Sequence, residues 1–105
     1  MKVRLTKPYR ESLLQSLKDL DLAAAYLNVA LEEGELEYFL IALRNVADAH
    51  GGLKKVASKA KLNLTSLYRM LSKSGNPNLD SLESLLSAMN LKLTIEPRKK
   101  VLAAR

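Results

Sequence analysis

Leucine recurs through this chain at intervals of three and four, in short blocks cut apart by glycine, proline and asparagine. That spacing lines one face of an α-helix, and short helices of this kind can bury their apolar faces only against one another. The aliphatic balance points the same way, with 23 Leu and 12 Ala against 5 Val and 2 Ile. Side chains without a branch at Cβ lose little rotamer freedom in a helix, so the chain is expected to be all-α.

Turn signals divide it into five to six short helices. Pro8 fits a first helical turn, and Leu13, Leu14 and Leu17 form a stripe that ends near Asp19. Asp21 can cap a second helix carrying Leu22, Tyr26, Leu27, Ala30 and Leu31, which Gly34 ends. Leu36, Phe39, Leu40, Leu43, Val46 and Ala47 mark a third helix over 35–50, stopped by Gly51-Gly52. A fourth runs Leu53–Ala60 and a fifth, capped by Asn63, runs Leu64–Lys73. After the turn Ser74-Gly75-Asn76-Pro77, Asn78 or Asp80 starts a sixth with Leu79, Leu82, Leu85, Leu86 and Met89 inward. Leu91, Leu93 and Ile95 then alternate with Lys92, Thr94 and Glu96, the pattern of a short C-terminal β-strand closed by Pro97. A lone strand has unpaired edges, and the same strand of a second copy is the economical partner, which predicts a homodimer through 91–96 or through the last helix. Residues 1–97 read as one helical domain and 98–105 as a basic flexible tail.

Several function classes are excluded early. With 105 residues the chain can bury a small core of its own. It has no Cys, which removes disulfide frameworks, thiol catalysis and zinc knuckles. The longest nearly apolar stretch, Leu22 to Leu31, is too short to span a bilayer, and no apolar run follows the basic N-terminus as a signal peptide requires. A cytoplasmic protein with no membrane partner is expected. No nucleophile elbow, phosphate-cradling loop or metal-ligand spacing is present, so no enzyme activity, metal or cofactor is predicted. His50 falls at the end of the third helix, where an imidazole suits the macrodipole.

Charge is segregated along the chain. The net charge of +6 conceals a −6 stretch over 11–48 and a +6 window over 49–78. That window holds Lys54, Lys55, Lys59, Lys61, Arg69 and Lys73 and no acid, a footprint suited to a polyanion or, more blandly, a solvated basic face. It coincides with two short helices separated by Lys61-Leu62-Asn63, the spacing of a helix-turn-helix over 53–73. Ala57 supplies the small residue where the helices cross, and Leu67, ten positions on, locks the second helix. Leu53, Val56, Leu62 and Leu71 fill the remaining inward positions. Lys61 stands where a left-handed residue, commonly Gly, is usual.

With Leu67, Met70 and Leu71 inward, the second helix turns Thr65, Ser66, Tyr68, Arg69, Ser72 and Lys73 outward. Recognition helices present their N-terminal turns to base edges, which brings Leu64, Thr65 and Ser66 forward, with Arg69 one turn on. The planar fork of Arg69 matches the O6/N7 pair of guanine, Thr65 offers a hydroxyl or methyl, and Leu64 can pack a thymine methyl. Asn63 can cap the helix or touch phosphate; Lys54, Lys55 and Lys73 are phosphate candidates. Tyr68 can simply pack its ring on the bundle with its hydroxyl wet.

The run Val56-Ala57-Ser58-Lys59-Ala60-Lys61-Leu62-Asn63-Leu64-Thr65-Ser66-Leu67-Tyr68-Arg69-Met70-Leu71-Ser72, followed by Gly75-Asn76-Pro77-Asn78-Leu79, resembles the lambda-repressor-like (Xre) helix-turn-helix class. The Leu67-Tyr68-Arg69 to Leu71-Ser72 block, together with Ala25-Tyr26-Leu27, Ala30-Leu31-Glu32-Glu33-Gly34-Glu35 and Asn90-Leu91-Lys92-Leu93, is similar to the addiction-module antidote proteins, HigA-like antitoxins, over about residues 20–96. The resemblance implies a dimeric repressor of its own operon, bound to double-stranded operator DNA and to a co-encoded toxin of the RelE/ParE-like superfamily. Such toxins are typically basic, and Glu32, Glu33, Glu35 and Glu37 could face one. Helix-end charge and solubility account for the same glutamates equally well. A stand-alone repressor without a toxin, and an interaction module that keeps the packing without binding DNA, are the other two readings.

Overall fold

The computed structural model describes residues 6–72 and 75–98. Among them are six helices: α1 (Lys7–Ser16), α2 (Leu20–Glu32), α3 (Leu36–Ala49), α4 (Leu53–Ala60), α5 (Leu64–Met70) and α6 (Leu79–Ala88). Four of them start on a side-chain cap. Thr6 Oγ1 accepts from the Tyr9 amide, Asp19 from Asp21 and Leu22, Asn63 from Ser66, and Asn78 from Ser81. Each satisfies a backbone N–H that the first helical turn leaves without a partner. The α2 cap is therefore Asp19, not Asp21, which lies two residues on in the first turn, where its charge still favours the helix N-terminus.

α3 is the central helix, buried on most sides by Phe39, Leu40, Ala42, Leu43, Val46, Ala47 and Ala49. It carries α1 and α2 on one part of its surface and α4 on another, and α4 in turn packs against α5 and α6. Leu40, Leu43, Val46, Val56, Leu67, Leu85 and Met89 are the large side chains fully removed from solvent, so one core runs from the central helix into the last three.

Three helices close in the same manner. The Gly52 amide returns to the Ala47 carbonyl, Leu62 to Ala57 and Leu91 to Leu86, each at 2.9 Å. The residue before each returning amide has positive φ: Gly51 at 111°, Lys61 at 59° and Asn90 at 63°. This six-to-one closure satisfies a terminal carbonyl and reverses the chain. Gly75 meets a different demand, because a Cβ there would lie 2.1 Å from the Met70 carbonyl oxygen.

Among the described residues, Asn45 is the buried polar side chain of this apolar interior. Asn45 donates from Nδ2 to the Tyr26 hydroxyl (2.9 Å) and accepts at Oδ1 from Arg10 Nη1 (3.0 Å), and a second Arg10 nitrogen donates to Asp48. The cluster ties α1 and α2 to α3. His50 ties the far end of α1 to the same helix: its Nε2 lies 3.1 Å from the Leu17 carbonyl. A carbonyl can only accept, so that nitrogen carries the proton.

The C-terminal strand expected over 91–96 is not formed. Residues 91–98 have no regular secondary structure, because no described segment of the chain offers a ladder partner. Leu91 and Leu93 instead rest against α2 and α6, and the expected tail beyond Arg98 lies outside the described residues.

Two stability predictions follow from these local structures. The Arg10 and Asp48 side chains are 40% and 28% exposed, so their pair is screened and contributes less than about 1 kcal/mol. Asn45→Ala should cost about 2 kcal/mol in urea denaturation, since it strips partners from two groups at once, and Asp48→Ala less than half of that. Lys61→Gly should stabilise the fold by about 1 kcal/mol, because only glycine adopts the left-handed turn without a Cβ clash.

Candidate nucleic-acid interface

α4 and α5 are joined by Lys61-Leu62-Asn63, and the left-handed backbone at Lys61 sets the angle between them. Leu53, Val56, Ala57, Leu67 and Leu71 are buried, and Leu62 and Met70 are half-buried against the same core. With that face committed, Thr65, Ser66, Tyr68 and Arg69 are exposed, at the spacing that stacks positions 65, 66 and 69 on one side of the helix. α5 ends at Met70, earlier than the expected Lys73, which lies outside the described residues.

Asn63 has its side chain engaged as the helix cap, with Oδ1 2.9 Å from the Ser66 amide. Leu64 is half-buried and packed against the core. Thr65, Ser66 and Arg69 therefore form the accessible part of the helix. Ser66 and Arg69 also border a groove against the segment that leads into α6, across from Asn76 and Asn78. Arg69 is the charged side chain among the described residues of that groove; Ser66, Ser72, Asn76, Asn78 and Ser81 add hydroxyls and amides to a floor of Leu62, Leu67 and Met70, a rim suited to an anion or a base edge.

The six-cation window divides in space. Lys54 and Lys55 are exposed on α4, the latter with its methylenes laid over Gly51. Lys59 and Lys61 share a hollow with Asp80 and Glu83 of α6, so acids remote in sequence offset part of their field. Lys54, Lys55 and Arg69 lie outside that acid-bearing hollow.

Arg44 belongs to the same surface and escaped the sequence reading. Its guanidinium lies 5.3 Å from the Tyr68 ring centroid, a cation–π contact that links α3 to α5 and adds a charge beside the exposed face. Two helix breaks separate the two residues, and no spacing rule connects them. Tyr68 is thus packed on the bundle while remaining 45% exposed.

The four glutamates gather elsewhere, around the α2–α3 connection. Glu32, Glu33 and Glu35 are exposed and Glu37 is half-buried in the first turn of α3. Glu37 suits the positive end of that helix. Glu32 and Glu33 sit at the negative end of α2, where the macrodipole disfavours them. Helix-end charge therefore accounts for Glu37 and for Glu35, the N-cap residue of α3, and not for Glu32 and Glu33.

Among the described residues, no group of His, Asp or Glu is placed to hold a metal ion, and no helix is long and apolar enough to cross a membrane. No solved structure matches the chain. An uncharacterized protein of Haemophilus influenzae (strain Rd) is 31% identical over 91 residues, a match covering 78% of this chain and 93% of the relative. The family described as probable addiction module antidote protein matches residues 9–97, which takes in all six helices but the start of α1. The chain belongs to this family of antidotes, the antitoxin side of a toxin–antitoxin module.

Proposed function

We propose that this antitoxin-family protein is HigA-like: a DNA-binding dimer that represses its own operon and neutralises a co-encoded, basic toxin of the RelE/ParE-like class in the cytoplasm. In this reading α4 and α5 work as a helix-turn-helix. Arg69 reads guanine, Thr65 and Ser66 contact base edges or phosphates, and Lys54, Lys55 and Lys73 hold the backbone. Asn63 contributes by fixing the first turn of α5, and Leu64 by packing it. Two copies would set their α5 helices about 34 Å apart along a roughly palindromic operator.

One observation carries the proposal: the left-handed residue between α4 and α5 turns Thr65, Ser66 and Arg69 outward within a thirty-residue window that has no acid. The toxin side rests on Glu32 and Glu33, which the helix they end does not favour and which a basic partner would.

Titration into a duplex from the protein's own upstream region, beside an unrelated duplex, tests the DNA reading. Specific binding should exceed non-specific by about a thousandfold or more. Arg69→Ala should cost about 1–3 kcal/mol and relax sequence preference, whereas Lys55→Ala should weaken both duplexes alike and lower the salt slope by about one. Equal, weak binding to both duplexes would contradict the proposal. For the acidic surface, Glu32→Gln with Glu33→Gln should raise stability by about 0.5 kcal/mol in thermal unfolding, since both charges oppose the α2 dipole. The same pair should weaken association with the protein of the adjacent reading frame and leave DNA affinity unchanged.

A further inference from the structure

Among the described residues outside the helices, Leu93 and Ile95 of the segment 91–96 are the exposed large apolar side chains. Leu91 is half-buried and Leu93 is 38% exposed, both at the edge of a hollow lined by Ala24, Leu31, Phe39 and Leu86. Ile95, next on the same side of the alternation, is 98% exposed. Lys92, Thr94 and Glu96 alternate with them in sequence and are exposed, and Lys92 and Thr94 also border the hollow. A row of backbone groups without a ladder, carrying two-sided alternation, needs a second strand.

The order of the residues selects that strand. Written about Thr94, the segment Lys92-Leu93-Thr94-Ile95-Glu96 is complementary to its own reverse. In an antiparallel pair of two copies centred on Thr94, Lys92 stands opposite the partner's Glu96 and Glu96 opposite the partner's Lys92. Leu93 stands opposite the partner's Ile95, twice by symmetry, and threonine faces threonine at the axis. Opposite charges, aliphatic with β-branched side chains, and paired threonines are each favourable cross-strand neighbours. Shifting the centre to Leu93 sets Lys92 against threonine and Glu96 against Asn90, shifting it to Ile95 sets Glu96 against threonine and Lys92 against Arg98, and a centre between two residues sets apolar against polar side chains. Only the Thr94 register sets both charges against opposite charges.

We infer that this chain dimerises through residues 92–96, paired antiparallel with a second copy about a two-fold axis at Thr94. A two-stranded ribbon is marginal alone, so the body must support it. It does so on each protomer, because the partner's Ile95 falls beside Leu93 at the edge of the Ala24, Leu31, Phe39 and Leu86 hollow. The contact is isologous, the same segment serving on both protomers, and its two-fold axis closes it as a dimer. The inference rests on the dimeric part of the proposed function and supplies its surface and register.

Sedimentation of the full chain tests the pairing through a charge swap. Lys92→Glu alone, or Glu96→Lys alone, brings like charges together twice, and each should raise the dimer Kd about tenfold or more. Combining Lys92→Glu with Glu96→Lys should restore it to within about threefold. Ile95→Glu should leave monomers with unchanged helical circular dichroism, since the side chain touches almost nothing in one protomer. As an independent readout, Thr94→Cys, the sole thiol in the chain, should form a covalent dimer under a mild oxidant, and Glu96→Cys should not. Failure of the double variant to regain dimerisation, or cross-linking through Glu96→Cys instead, overturns the register. A dimer indifferent to all these changes overturns the surface and leaves a dimeric antitoxin standing. A chain that is monomeric at every concentration overturns both, and duplex titration then decides separately whether the monomer reads DNA.

Discussion

The left-handed residue at Lys61 is the constraint on which the rest of this structure depends. It lets the Leu62 amide return to the Ala57 carbonyl, closes α4, and sends α5 across the small side chain of Ala57. A non-glycine residue in this conformation costs about 1–2 kcal/mol. Burying Val56 or Leu67 stabilises by about 1.5–3 kcal/mol each, so the packing that the turn permits outweighs its strain. Once Leu67 and Leu71 face the core, the direction of Thr65, Ser66 and Arg69 follows from helical geometry.

A second theme is the division of charge between two surfaces. The acidic cluster lies at the α2–α3 connection, and Lys54, Lys55 and Arg69 lie on α4 and α5, on the other side of the central helix in the packing order. Under the proposed function, these two faces address an anionic and a cationic partner separately. Arg44 on α3 touches the ring of Tyr68, so the central helix reaches the cationic face directly. The Asn45 cluster holds that helix to α1 and α2 as well.

Much of this was legible in the sequence where a local rule applied. The bounds of α4, the cap at Asn63, the break at Gly51-Gly52 and the inward set Leu53, Val56, Ala57, Leu67 and Leu71 all follow from capping chemistry and helical period, and of the two α6 caps the sequence allows, Asn78 and Asp80, the structure uses Asn78. Asp19 was missed as a cap because Asp21, two residues on, carries the same side chain, and only backbone geometry separates them. Leu64 looked available by position along α5, yet tertiary packing half-buries it. Contacts between distant segments left no local mark: Asn45 with Tyr26 and Arg10, Arg44 over Tyr68, and Asp80 and Glu83 near Lys59 and Lys61. The strand at 91–96 was read from alternation, which describes a segment ready to pair; no described part of the same chain meets it, so none forms.

Mapping backbone amide shifts while adding a duplex from the upstream region tests the central claim most directly. The account predicts that perturbations concentrate on Lys54, Lys55 and residues 63–69, with the amides around Glu32–Glu37 unmoved. Perturbations centred on the α2–α3 connection, or none on α5 at low salt, would contradict it.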